Sequence, residues 1–65
     1  MTWFVEKRIE WIGEMIRVYG FINREHIERM FDVSTPQASL DLREFQRRFP
    51  DAVTYDRSAK RYVSN

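Results

Sequence analysis

The chain is poor in the residues that staple small proteins or hold metals. It has no cysteine, which excludes a disulfide framework and a thiolate zinc site. Its one histidine, His26, has no second histidine or cysteine at ligand spacing, so we expect no metal. A Ser–His–Asp constellation and a glycine-rich phosphate loop are also missing. These absences predict a protein that is not an enzyme and needs no cofactor.

Long apolar runs are absent too. No uncharged apolar run approaches the roughly 18 residues that a membrane-spanning helix needs. The start of the chain also lacks the basic segment followed by an apolar segment that would indicate export. We therefore expect a cytoplasmic protein with no membrane association. The 65 residues allow one domain, residues 1–65, and the ten aromatic side chains supply the apolar area that so small a core needs.

The net charge of +1 hides an uneven distribution. Residues 1–42 hold five basic and seven acidic groups, whereas residues 43–65 hold six basic and three acidic groups. The positive charge therefore lies on the later part of the candidate third helix and on the segment after it, which is where a DNA-binding protein would contact phosphates. An ordinary solvated surface is the alternative interpretation.

Apolar periodicity predicts a first helix over residues 3–19, with Thr2 as a candidate N-cap and Gly20 after its end. The predicted core face repeats at spacings of 4, 3, 4 and 3: Val5, Ile9, Ile12, Ile16 and Tyr19. Beside it lies a second stripe of four residues: Phe4, Trp11, Met15 and Val18. That stripe is either a widened core face or an interface with another protomer or domain.

A second helix is predicted over residues 24–31, with Asn23 as its N-cap. Its inward residues would be Ile27, Met30 and Phe31, at i, i+3 and i+4. The short apolar segment 20–23 before it is too short for an independent strand, but it could pair with a later hairpin as an edge strand.

Residues 33–42, Val-Ser-Thr-Pro-Gln-Ala-Ser-Leu-Asp-Leu, open a third helix over about 35–49. Ser34 has the chemistry of an N-cap, Gln37 completes a capping-box pattern, and Pro36 suits the first turn. Pro50 should end this helix. Its predicted core face is Ala38, Leu42, Phe45 and Phe49.

A β-hairpin with a basic tip is predicted over residues 52–63. The turn lacks glycine, so we expect an Asx contact from Asp56. A four-residue loop would pair Tyr55 with Tyr62, whereas a three-residue loop would pair Tyr55 with Arg61. Three helices, a tight turn between the second and third, and this hairpin make an α+β winged helix-turn-helix fold.

The sequence also resembles a particular family. Val33-Ser34-x-x-Gln37-Ala38-Ser39-x-Asp41-Leu42, then Phe49-Pro50 and Tyr55-Asp56-Arg57-Ser58-x-Lys60-Arg61-Tyr62-Val63, is similar to the N-terminal domain of WYL-domain bacterial transcriptional regulators. The likeness is greatest to repressors that accompany anti-phage defence systems, and looser to the DeoR-like winged helix. DeoR-like domains often carry paired arginines where this chain has Ser39 and Leu40. Family members usually continue into a ligand-sensing and dimerising region, so the chain is either an excised domain or a stand-alone protein.

The resemblance implies a dimeric repressor that reads an inverted repeat in double-stranded DNA, acting at the bacterial nucleoid. The third helix would enter the major groove and the hairpin would hold the backbone. Predicted DNA-binding residues are Ser34, Thr35, Pro36, Gln37, Ser39, Leu40, Arg43, Arg47, Arg57, Lys60 and Arg61. The alternative function is protein binding through the aromatic stripe of the first helix.

Two side chains of the third helix have competing roles. The Gln37 amide suits adenine N6 and N7, but its use as a capping partner competes for the same atoms. Asp41 would repel phosphate, so we expect it to pair with a basic residue of the wing or of the first helix.

Overall fold

The computed structural model describes residues 3–65; Thr2, the candidate N-cap of the first helix, lies outside them. The described part confirms the predicted α+β fold of three helices and a hairpin. Its elements, in chain order, are α1 (Trp3–Tyr19), β1 (Phe21–Ile22), α2 (Arg24–Phe31), α3 (Thr35–Arg48), β2 (Val53–Asp56) and β3 (Arg61–Ser64).

Local chemistry explains where the helices begin and end. Gly20 follows α1 at φ 81°, a left-handed conformation that glycine adopts without strain, and its N–H donates to the carbonyl of Ile16 at 2.9 Å. Asn23 caps α2 as predicted. α3 ends at Arg48, one residue earlier than expected, because Phe49 precedes proline and leaves the helical region at φ −130°, ψ 66°.

The three strands form one antiparallel sheet in the order β1–β3–β2. β1 is therefore the edge strand that the segment 20–23 predicted. Tyr55 lies opposite Tyr62, which settles the hairpin register in favour of the four-residue loop, residues 57–60. The predicted Asx contact is confirmed, since Asp56 Oδ1 accepts from the backbone N–H groups of Ser58 and Ala59 at 3.0 and 3.1 Å.

The core lies between the helices and the inner face of the sheet. Its buried members are Ile9, Ile12, Ile16, Ile22, Ile27, Ala38, Leu42, Phe45 and Val53. Three predicted core residues are exposed instead: Tyr19 at 67%, Met30 at 58% and Phe49 at 48%. Tyr19 is the last residue of α1, and Phe49 lies just past the end of α3. The apolar periodicity continues to both positions, but no second element covers them. Met30 shows that α2 buries a narrower face than predicted.

No helix within residues 3–65 is both long and apolar enough to cross a membrane.

Candidate nucleic-acid interface

The first turn of α3 is held by Ser34, whose Oγ accepts from the Gln37 backbone N–H at 3.2 Å. The second half of the predicted capping box is wrong, because the Gln37 side chain does not return to Ser34. Its Nε2 donates to Asp41 Oδ1 at 2.9 Å. A complete capping box occurs at α2 instead, where Asn23 and His26 each bond the other's backbone N–H at 3.2 Å. His26 therefore has a structural role that the sequence did not reveal.

Asp41 is buried between α3 and α1, where it pairs with Arg8. The Arg8 Nε donates to Asp41 Oδ2 at 2.5 Å, and the two residues are only 9% and 1% exposed. This confirms the predicted ion pair with a basic residue of the first helix. Arg8 itself was not predicted, although its position indicates burial: it lies three residues after Val5 and four before Ile12, inside the core stripe.

The exposed side of α3 faces away from the core. Pro36, Leu40, Arg43 and Arg47 recur on it at spacings of 4, 3 and 4, and all four are exposed. Ser39 is half-buried beside them. Besides the Ser34 cap, a second polar group at the start of α3 is bonded within the domain: the hydroxyl of Thr35 donates to Glu28 of α2 at 2.7 Å.

A cleft of about 450 Å³ separates α3 from the wing, which is the β2–β3 hairpin. We call it the α3–wing cleft. Its lining residues are Asn23, Arg24, Glu25, Ser39, Leu42, Arg43, Tyr55, Ala59, Lys60 and Tyr62. Three cations thus face one carboxylate across a polar opening, an arrangement that favours an anionic ligand. Ser39, Arg43 and Lys60 were predicted as DNA-binding residues, whereas Arg24 and the two tyrosines were not.

The tyrosines form the floor of the wing side. Tyr55 and Tyr62 lie opposite each other in the hairpin, with ring centroids 5.0 Å apart and an interplanar angle of 59°. Burial, and then the neighbouring Tyr55, raise the pKa of Tyr62, while Arg43 acts weakly in the opposite direction. The Tyr62 phenol therefore stays protonated near neutral pH and can donate a hydrogen bond into the cleft.

The three wing cations occupy different environments. Arg57 and Lys60 are exposed in the loop, where Lys60 adopts a left-handed φ of 55°. Arg61 is half-buried, and its guanidinium lies 4.6 Å from the centroid of the Phe21 ring. Because successive strand residues face opposite sides of a sheet, Arg61 lies on the other face from Tyr62 and the cleft. Its buried Nε has no hydrogen-bond partner within residues 3–65.

The second stripe of α1 is divided between core and surface. The Trp11 ring packs edge-on against Phe31 with centroids 5.4 Å apart, and Met15 also packs against the core. Phe4 and Val18 are 68% and 54% exposed. Trp11 and Met15 are half-buried and also line an open surface groove, so the stripe contributes to the core while its role as an interface stays a prediction. None of the four lines the α3–wing cleft.

The C-terminal turn of α3 carries an acid-centred cluster. Glu44 accepts hydrogen bonds from Arg47 at 2.6 and 2.9 Å and from Arg48 at 2.7 Å. Arg48 also reaches across to α1, where it bonds Glu6 at 2.8 and 2.9 Å. Hydrogen bonds from the two arginines hold the pKa of Glu44 down at about 2, against an ordinary value of 4.5. The cluster links α3 to α1 at the opposite end from Gln37.

This cluster predicts a pH dependence of stability. Because the pKa of Glu44 is lower in the folded state than the ordinary 4.5, its contribution is fully present above that value and is lost as the pH falls towards about 2. Glu44→Gln should therefore be less stable than the unmodified chain at pH 7, and the difference should shrink steadily between about pH 5 and 2. Urea unfolding at several pH values measures it. A difference that stays constant down to pH 2 would contradict the assignment.

Comparison with known proteins agrees with this geometry. The family model of the BrxR transcriptional regulator winged helix-turn-helix domain matches residues 3–65. Three relatives share the name DNA-binding transcriptional repressor CapW. The chain is 44% identical to the one from Escherichia coli (strain KTE188) over 62 residues, which is 95% of this chain but 21% of the relative. It is 38% identical over 60 residues to the one from Pseudomonas aeruginosa, covering 92% of this chain and 20% of the relative. For the Stenotrophomonas maltophilia protein the values are 34% over 64 residues, 98% and 21%.

The chain therefore spans about a fifth of the length of these relatives. The match nonetheless covers every element described above, from α1 to β3. It confirms the resemblance to the winged helix-turn-helix domain of WYL-type defence regulators. The chain belongs to the family of BrxR transcriptional regulator winged helix-turn-helix domains.

Proposed function

We propose that this chain binds double-stranded DNA with sequence preference, as the DNA-reading part of a dimeric transcriptional repressor. α3 enters the major groove and the wing lies over the flanking phosphates. The observation that carries this proposal is the α3–wing cleft, which brings Arg24, Arg43 and Lys60 together beside the exposed side of α3. Cations at such a junction meet the phosphate backbone, while the helix beside them meets base edges.

The names of the relatives support the same role. CapW proteins are named as DNA-binding transcriptional repressors, and this chain aligns with a fifth of their length. Repression, an effector and dimerisation belong to the whole protein and are part of the proposal. A protein with this role acts in the bacterial cytoplasm, at the nucleoid.

Readout by one protomer should be weak. In the first half of α3, the half-buried Ser39 offers a hydroxyl and the exposed Leu40 only methyl groups, and both are permissive readers. Gln37 and Arg43 are the stronger candidates. Arg47 already donates hydrogen bonds to Glu44, whereas Arg57 is exposed in the wing loop. A second protomer on an inverted repeat supplies the missing discrimination, because two half-sites double the number of base contacts.

The position of the positive charge favours DNA binding over the protein-binding alternative, because Arg24, Arg43 and Lys60 line the α3–wing cleft and no member of the aromatic stripe does. Two members of the aromatic stripe, Trp11 and Met15, already pack against the domain's own core. The other two members, Phe4 and Val18, are exposed. These two residues suit the rim of a contact between protomers.

The proposal is tested by the salt dependence of binding. If about five phosphates are contacted per protomer, affinity should fall about 500-fold per protomer between 50 and 200 mM salt. Fluorescence anisotropy with a duplex selected from a random library measures this slope, and the selected consensus reports half-site symmetry. A response that is flat over this range, or a selection that yields no enriched sequence, would count against the proposal.

A further inference from the structure

We propose that Asp41, held by Arg8, is a positioning residue that fixes the Gln37 amide in an orientation that selects adenine. The inference rests on the proposed function and names one of its specificity determinants. Its structural basis is the chain of hydrogen bonds from Arg8 to Asp41 to Gln37, which runs from the interior of α1 to the first turn of α3.

The ion pair fixes the charge and position of Asp41. Arg8 contacts both carboxylate oxygens, Oδ2 through Nε at 2.5 Å and Oδ1 through a terminal nitrogen at 3.4 Å. The two side chains are only 10% and 2% exposed. Burying such a pair is expensive, and apolar side chains of similar volume often stabilise a core as well or better. Stability alone is therefore a weak reason for keeping the pair, and its bond to Gln37 suits a role in recognition.

The carboxylate in turn fixes the amide. An ionised carboxylate has only acceptor sites, so the group of Gln37 that faces it must be the NH₂ and not the oxygen. The Nε2–Oδ1 distance of 2.9 Å is that of a full hydrogen bond. The Gln37 backbone is also held, since its N–H donates to Ser34. Orientation and position of the amide are thus set before any DNA arrives.

Within residues 3–65, one N–H and the carbonyl oxygen of the Gln37 amide have no hydrogen-bond partner. These match the N7 acceptor and the N6 amino donor that adenine presents in the major groove. Guanine presents two acceptors, N7 and O6, and would need both N–H groups of the amide. Asp41 occupies one of them. The bond to Asp41 therefore has two effects on the base opposite Gln37: it orients the amide for adenine, and it disfavours guanine.

The test removes the pair without leaving a buried charge. Arg8→Met with Asp41→Leu replaces both partners by apolar residues. Selection from a random duplex library should give the unmodified chain an adenine at one position per half-site, by about 5- to 150-fold over other bases. The double variant should lose this preference to the level of Gln37→Ala, and adding Gln37→Ala to it should change nothing further. Affinity for non-specific duplex should stay within about twofold, because no phosphate contact is altered.

Two further variants keep the result interpretable. Glu6→Gln weakens the other α1–α3 link, the bond to Arg48, without touching Gln37, and should keep the adenine preference. If the double variant does not fold by circular dichroism, Asp41→Asn replaces it, because an asparagine can also donate and so releases the amide orientation. An adenine preference that persists without the Asp41 carboxylate, or that does not depend on Gln37, overturns the inference. An unmodified chain that selects no sequence at all overturns the proposed function instead.

Discussion

Replacing Asp41 by alanine is expected to lower the free energy of unfolding by about 3–5 kcal/mol, the usual cost of leaving one charge of a buried pair alone. Arg8 would remain only 9% exposed, with its main partner gone. A domain of this size has a total stability of about 3–10 kcal/mol. The variant should therefore unfold at a much lower temperature than the unmodified chain or be partly unfolded from the start. Thermal unfolding followed by circular dichroism at 222 nm measures this.

The reason for this loss is tested by compensation. Arg8→Met with Asp41→Leu removes both charges and should lie close to the unmodified chain in stability, because no unpaired charge is left behind. Glu25→Ala breaks only the exposed pair with Arg29, whose atoms are 3.6 Å apart, and should change stability by less than about 1 kcal/mol. If the double variant were as unstable as Asp41→Ala, lost packing and not a stranded charge would be the cause.

Features encoded by neighbouring residues could be predicted from the sequence. The caps at Ser34 and Asn23, the left-handed Gly20 and the Asx contact of Asp56 each depend on residues within four positions of one another. The helix boundaries follow from these signals, and the fold class follows from the order of the elements. The third helix was placed one residue too long only because the cap lies at Phe49 itself.

Features that depend on distant residues could not be predicted in the same way. Asp41 was predicted to pair with a cation, but the identity of that cation was not, because Arg8 is 33 positions away and the register of α1 against α3 selects it. The capping role given to Gln37 was wrong for a different reason. Asp41 lies only four residues further along the same helix face, and its charged carboxylate binds the Gln37 amide instead.

The α3–wing cleft shows the same limit for the candidate site. It is formed by the start of α2, the middle of α3 and two strands, so its volume depends on how three segments meet. Arg24 has no motif that marks it as part of a ligand surface. Arg61, in contrast, lies in a basic wing but stacks on Phe21 across the sheet. A run of basic residues in a sequence identifies a basic element. Which of its side chains face the cleft depends on the sheet, because successive strand residues point to opposite faces.

The first turn of α3 combines two kinds of constraint. Several of its polar groups are already bonded within the domain: Ser34 to the helix backbone, Thr35 to Glu28 and Gln37 to Asp41. These bonds reduce the number of freely rotating donors that could read bases. They also lower the entropic cost of ordering those side chains on DNA, since they are ordered beforehand. Under the proposed function, selectivity comes from the orientation of these side chains and affinity comes from the cations of the α3–wing cleft.

Removing two of those cations, with Arg43→Ala and Lys60→Ala together, is expected to weaken DNA binding by about 30-fold or more near physiological salt. Both side chains are exposed and line the cleft, so the fold should be unaffected. If each contacts a phosphate, the slope of log affinity against log salt should fall by about 1.8. Fluorescence anisotropy over a salt series gives both quantities from one set of titrations.

A matched control separates a local contact from the overall charge of the domain. Lys7→Ala with Arg17→Ala removes the same two positive charges, but these cations pair with Glu10 and Glu14 on exposed positions of α1, and neither they nor their partners line the cleft. This control should change affinity by no more than a few fold, through long-range attraction alone, and should leave the salt slope nearly intact. Equal losses in the two pairs would mean that DNA responds to net charge and not to the α3–wing cleft. A large loss confined to Arg43 and Lys60 would establish that DNA is held in this cleft, because only contact with particular phosphates distinguishes two pairs of equal charge.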